Sequence, residues 1–238
     1  MPAVGDLLGL GDDALVAAQR LGMWCARAPE MEEDVALANI ALDQLGAARL
    51  LLDYAGEREG AGRDEDALAY LRDDRDFRNV LLVELPDADF AWVVAKLLFL
   101  GAWQVLHYAD LARGDDARLA GIAGKTVKES AYHLDHGRQW TLRLGDGTAE
   151  SHGRMQAAVD ALWPYTLEFF AITPGLHGDW LALVEPVLAE ATLRRPADGW
   201  APHAAHGGGG RAGRHTEHLS YLLAEMQALH RAHPGARW

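Results

Sequence analysis

Glu129 and His133 stand four residues apart within Lys128-Glu129-Ser130-Ala131-Tyr132-His133. A carboxylate and an imidazole on one helix face are the parts from which ferritin-like bundles build di-iron sites, where the Glu and His are three residues apart. The four-residue spacing keeps both side chains on one face but changes how they converge. A carboxylate-bridged di-iron centre draws about six protein ligands: one carboxylate from each of two helices, and a Glu–His pair from each of two others.

The rest of the chain supplies few of these. Asp43 lies on a stripe with Asn39, Ile40, Ala47 and Leu50, mostly apolar or small, so its carboxylate is expected to point inwards. Gly46 stands three residues further on, where a histidine would be required. The first helical stretch offers Gln19 and Arg20, and Phe90 to Leu111 has no carboxylate before Asp110. The central polar groups of that stretch are Lys96, Gln104 and His107; His107 and His136 are weak substitutes for a missing ligand. Asp43, Glu129 and His133 are therefore vestigial candidates, with too little negative charge around them to hold two iron ions. The expectation is no metal, no bound cofactor and no catalytic residue in this chain. Asp43 and Glu129 are instead assigned to a buried polar network that enlists Lys96 or Arg49, fully paired because an unpaired buried charge is costly.

Other chemistry has weaker support. His215 and His218 flank Glu217, with His203 and His206 upstream, a set that zinc can use. Thr216 is also a natural cap for the last helix, and histidines beside a glycine-rich loop are commonly plain surface residues. Cys25, near a helix end, reads as a core residue rather than a nucleophile. There is no phosphate-cradling glycine motif: no Gly-x-Gly-x-x-Gly follows a strand, and no Lys follows the glycine run.

Composition narrows the class. The chain has 238 residues and a formal charge of −13, with acidic residues spread along it. That balance argues against nucleic acid or an anionic membrane as partner. One cysteine excludes an internal disulfide and fits a reducing compartment. No uninterrupted apolar run of about 18 residues appears, and the expected location is the cytoplasm.

The elements that must position these residues are helical throughout. The first is expected from Asp12 or Asp13, as caps, to about Arg27, before Pro29. The second runs from about Met31, with Glu32, Glu33 and Asp34 at its positive dipole end, to about Tyr54, stopping by Gly56. A polar connection from Gly56 to about Arg75 embeds a short helix, Asp66 to Leu71. A third helix spans Phe90 to Leu111, a fourth reaches about Leu144, and a fifth opens at Thr148 or Glu150 and runs towards Phe170. Shorter helices follow near Trp180 to Glu190 and Thr216 to Arg231, with Gly207 to Gly210 in the loop between them. Two long helical hairpins joined by a crossover match the ferritin-like four-helix plan in a single domain, 1–238.

Tracts across nearly the whole chain carry a resemblance. They are Gln19-Arg20-Leu21-Gly22, Leu37-Ala38-Asn39-Ile40, Leu42-Asp43, Leu45-Gly46, Ala48-Arg49, Asn79, Leu81-Leu82-Val83-Glu84, Lys128-Glu129, Tyr132-His133, His215-Thr216-Glu217-His218-Leu219, Leu223-Ala224-Glu225-Met226-Gln227, Pro234-Gly235 and Trp238. In order and spacing the chain resembles the PaaC family, the C components of the multicomponent phenylacetyl-CoA 1,2-epoxidase, a ring-hydroxylating monooxygenase complex. The run Gly207 to Gly210 is richer in glycine than that family's pattern.

The resemblance implies a ferritin-like fold and a part in aerobic phenylacetate catabolism. It further implies a non-catalytic structural role beside a related subunit that carries the di-iron centre and binds phenylacetyl-CoA, with a reductase drawing electrons from NADPH. The implied partners are that catalytic subunit, other complex subunits and the reductase; self-association stays open. Trp92, Trp103, Trp163, Trp180, Trp200 and Trp238 suit an interface, though core packing is the more ordinary use of each. Two other readings stand beside this one: a di-iron oxygenase active alone with an unusual ligand set, and a stand-alone acyl-CoA-binding protein, for which no dedicated basic pocket is evident.

Overall fold

The computed structural model describes residues 2–201 and 209–236. Among them every regular element is helical and there is no strand. Two compact units emerge: residues 2–86 with 209–236, and residues 87–201.

In the first unit, α1 (Val4–Gly22) and α2 (Met31–Glu59) form a long hairpin. α1 starts well before Asp12, with Asp6 reaching back to the Ala3 amide at 3.2 Å. Asp12 and Asp13 are therefore not caps; they lie buried in mid-helix. Glycine in this stretch has a packing role. A Cβ on Gly9 would stand 2.9 Å from the Arg211 guanidinium, so a larger residue there would displace that side chain. α2 likewise runs past Gly56, whose missing side chain leaves room for the Arg63 carbonyl, and ends where Gly60 takes the left-handed conformation at φ 70°.

α3 (Glu65–Tyr70) is capped by the Asp64 carboxylate on the Ala67 amide at 2.8 Å. A short 3-10 turn (Asp74–Asp76) and the one-turn α4 (Leu81–Glu84) follow, the latter not anticipated from sequence. The C-terminal part of the unit is a 3-10 turn (Gly209–Ala212) and an α-helix, Glu217–Ala232.

The second unit is built on α5 (Phe90–Leu111) and α6 (Ala117–Gly145), again a long hairpin, joined by α7 (Ala149–Ile172) and α8 (His177–Glu190). With these numbered, the helix Glu217–Ala232 of the first unit is α9. Capping defines the starts in this unit. Asp89 accepts from the Trp92 amide, Asp116 from that of Leu119, and Thr148 forms a reciprocal box with Ser151. The core is aromatic: Trp163 and Trp180 pack at 5.3 Å between centroids, and Phe99 meets Trp163 edge-on at 5.6 Å. Trp103 stacks on Phe169 at 4.7 Å. Trp103, Trp163 and Trp180 are thus core residues, while Trp200 is exposed and Trp238 lies outside the described residues.

Candidate functional site

α6 carries Glu129 and His133. The buried stripe of this helix includes Ile122, Thr126, Ser130, His133, Gly137 and Thr141, spaced three and four apart, so His133 faces inwards. Thr126 and Thr141 turn their hydroxyls back to the Ile122 and Gly137 carbonyls, at 3.0 and 2.7 Å. Glu129 lies at the edge of the stripe. Its Oε1 accepts from Lys125 one turn earlier, while its Oε2 is buried without a hydrogen-bond donor. The Ser130 hydroxyl is likewise buried without a partner.

Those two orphan atoms are the local argument for a ligand, and the surrounding donor set does not complete it. On α5, Lys96 is held by Asp87 at 2.6 Å. Among the described residues, no three His, Cys, Asp or Glu side chains gather closely enough to hold a metal ion. The residues present do not fit a di-iron centre, and no chemical step is assigned through one.

Asp43 belongs to α2 in the first unit and is half-exposed rather than turned fully inwards. Ile40 and Ala47 beside it are buried, whereas Asn39 and Leu50 are exposed. The network expected from Asp43, Glu129, Lys96 and Arg49 is also differently wired. Arg49 is exposed and reaches Glu65 at 3.5 Å, Lys96 pairs with Asp87, and Glu129 with Lys125.

Three buried carboxylates of the first unit, Asp12, Asp13 and Glu84, form a network that the sequence reading did not anticipate. Asp12 is held two-pronged by Arg72, with Nη1 donating to Oδ2 at 3.0 Å, and the Arg78 amide adds a donor at 2.8 Å. The Arg72 guanidinium also lies over the Phe77 ring, 4.2 Å from its centroid. Asp13 receives both Arg211 Nη atoms, at 2.8 and 2.5 Å, and the Val80 amide at 2.7 Å. Burial pushes the Asp13 carboxyl above the usual carboxylate range, against the opposing pull of Arg211 and the Val80 amide.

Glu84, at the end of α4, is the third. Its Oε1 accepts from the Thr216 amide at 2.6 Å; its Oε2 accepts from Asn79 at 2.8 Å and meets His215 Nδ1 at 2.7 Å. The other ring nitrogen of His215 faces the Phe77 carbonyl at 3.0 Å. Both nitrogens therefore face acceptors, and both bonds form only when the ring carries two protons. Both ring nitrogens of His215 are thus already taken up by protein oxygens, which leaves neither turned towards a metal. His203 and His206 lie outside the described residues. Arg20 Nε completes the group by donating to the Glu84 carbonyl at 3.0 Å.

Asp12 and Asp13 fasten Arg72, Arg78, Val80 and Arg211 to α1, while the Glu84 carboxylate ties His215 and Thr216 to α4. All three carboxylates are shielded from water and satisfied by protein donors, so they hold structure and offer no open coordination position. The sequence signal was present in part: Arg20, Asn79, Glu84 and His215 all fall within the tracts of resemblance, although spacing alone gives no hint of their mutual contacts.

The described residues thus form an all-helical protein with two long hairpins, in which Asp12, Asp13 and Glu84 are tied to arginine and histidine. Its family is shown directly: the chain belongs to the phenylacetic acid catabolic protein family, whose model matches residues 2–238. It is similar to the C component of 1,2-phenylacetyl-CoA epoxidase from Escherichia coli (strain K12), with 46% identity over 246 residues and 97% of each chain matched. The resemblance read from the residue tracts is thereby established.

Proposed function

We propose that this chain is the non-catalytic structural subunit of a cytoplasmic phenylacetyl-CoA 1,2-epoxidase, supporting a di-iron catalytic subunit fed by an NADPH-dependent reductase. The observation that carries this reading is the 46% identity to the C component of such an epoxidase across 97% of both chains. Two further points support it. The α6 carboxylate Glu129 is engaged by Lys125, and the α5 lysine Lys96 is engaged by Asp87. The two hairpins also agree with a ferritin-like plan, in which a paralogue retains the helices of its catalytic relative without the ligands.

The test is metal analysis and reconstitution. The isolated chain is expected to carry no stoichiometric iron and to show no turnover of phenylacetyl-CoA with reductase and NADPH. Added to the purified catalytic subunit, it restores epoxidation. Two irons per chain, with turnover by the chain alone, would overturn the proposal.

A further inference from the structure

α9 is fastened to the first unit along its whole length by polar side chains. Near its end, Gln227 donates to the Ala69 and Arg72 carbonyls, both at 3.0 Å, and Arg231 donates to the Tyr70 carbonyl at 3.0 Å. In its first turn, the Ser220 hydroxyl reaches Asp74 at 2.6 Å. At its start, Thr216 is the N-cap, yet its hydroxyl makes no capping bond and lies buried without a partner. The Thr216 amide instead donates to Glu84 Oε1 at 2.6 Å, so a carboxylate from α4 holds the positive end of α9.

One of these fastenings depends on a proton that moderate pH removes. The His215 side chain is 4% exposed and bridges Glu84 Oε2, at 2.7 Å, and the Phe77 carbonyl, at 3.0 Å. A neutral ring has a single N–H. Whichever acceptor it keeps, the other oxygen then faces a nitrogen lone pair where water has little access. The ring has little room to turn away, since a Cβ on Gly210 would stand 3.3 Å from its Cε1.

We propose that His215 and Glu84 form a proton-held clasp on α9. With the proton in place α9 lies closed over residues 69–84; without it the helix opens locally and uncovers Leu219, Leu222 and Leu223. The acidic groups facing the ring are Glu84 of α4 and Asp74 of the 3-10 turn, the latter held below its ordinary range by the Ser220 bond. Arg20 of α1, on the Glu84 carbonyl at 3.0 Å, and Arg211, on Asp13, keep their charge throughout. Burial raises the Tyr70 phenol, beneath α9, above its ordinary range, so it stays neutral.

Released, His215 is a solvated imidazole that titrates near 6.5. In the clasp, the carboxylate and the second acceptor favour the charged ring against the opposing effect of burial. The closed state therefore binds the proton more tightly. Its extra stability is whole below about pH 6.5 and is lost as pH rises through the clasp's own titration. One proton separates the two states, so the opening constant rises by up to about tenfold per pH unit over that interval and then levels off.

Hydrogen–deuterium exchange of the full chain, corrected for intrinsic rates between about pH 6 and 9, reads the opening of residues 217–232. Their protection is expected to fall with pH on that slope. His215→Gln has no removable proton, so its α9 protection is expected to be lower at pH 6 and independent of pH. His230→Gln, which alters a ring stacked on Tyr70 at 4.8 Å, retains the response. A flat profile in the unaltered chain overturns the inference. So does a slope that persists in His215→Gln, which would assign the proton to another group, Asp13 with its burial-raised carboxyl included. Should that variant fail to fold, carbon-13 titration of His215 in the unaltered chain decides. Its midpoint has to match the pH at which the opening levels off, and a midpoint elsewhere overturns the clasp.

Discussion

Replacing Asp12 with Asn removes the charge facing Arg72 while keeping nearly the same shape. Arg72 is 2% exposed and Asp12 fully buried, so water cannot compensate. Arg72 keeps carbonyl acceptors at Leu68 and Asp76, the latter at 3.2 Å, but these are dipoles and not a counter-charge. The new amide also sets an NH2 group against either a guanidinium NH or the Arg78 amide, which now bonds at 2.8 Å. Breaking one side of a buried pair costs about 3–5 kcal/mol. For a chain of this size, about 2–4 °C per kcal/mol makes that a fall in Tm of roughly 6–20 °C. Thermal and urea unfolding followed by circular dichroism measure it directly. Arg72→Met alone should be costly too, whereas Asp12→Asn with Arg72→Met should cost less than the sum, with a coupling of about 1–3 kcal/mol. A loss under about 1 kcal/mol for Asp12→Asn would refute the assignment, since that is the scale of an exposed pair.

Two further outcomes follow from the same unit. Nitrogen-15 spectra of histidine-labelled protein at neutral pH should show His215 with both ring nitrogens protonated, because they face Glu84 and the Phe77 carbonyl; a neutral tautomer there contradicts the geometry. The hydrogen bond from Ser220, at 2.6 Å, holds the Asp74 carboxyl below its ordinary range, so Ser220→Ala should move its titration upwards. A depressed folded value contributes stability above the unfolded carboxylate pKa of about 3.9 and loses it as pH falls through the folded value. The variant therefore gives up its Asp74 contribution at a higher pH, and an unshifted carbon-13 titration of Asp74 would rule the contact out.

The fold was legible where local signals act alone. Asp89, Asp116 and Thr148 are caps that their own next three residues complete, so α5 and the start of α7 could be read directly. Reading failed where distant chain supplies the reason. Asp12 and Asp13 look like caps until Arg72 and Arg211 neutralise them. α4 is only four residues long, too short to show a period. The candidate site was partly legible for the same reason. Glu129 and His133 share α6 by spacing, but Lys125, one turn back, takes Glu129, and Asp87 takes the Lys96 expected beside it.

The contrast between these carboxylates separates one that holds structure from one that is open to a ligand. A metal ligand must offer an oxygen whose lone pairs no fixed protein donor already fills. Asp12, Asp13 and Glu84 each receive donors on both oxygens, from arginine, histidine, asparagine or backbone amides. Freeing one for a cation would strand a buried Arg72, Arg211 or His215, and like charge would then repel the incoming metal. Glu129 alone of the four keeps an oxygen without a donor, yet its other oxygen is tied to a lysine. Asp12, Asp13 and Glu84 are thus committed to holding this chain's own segments together, and Glu129 is the one of the four with an oxygen still open to a donor.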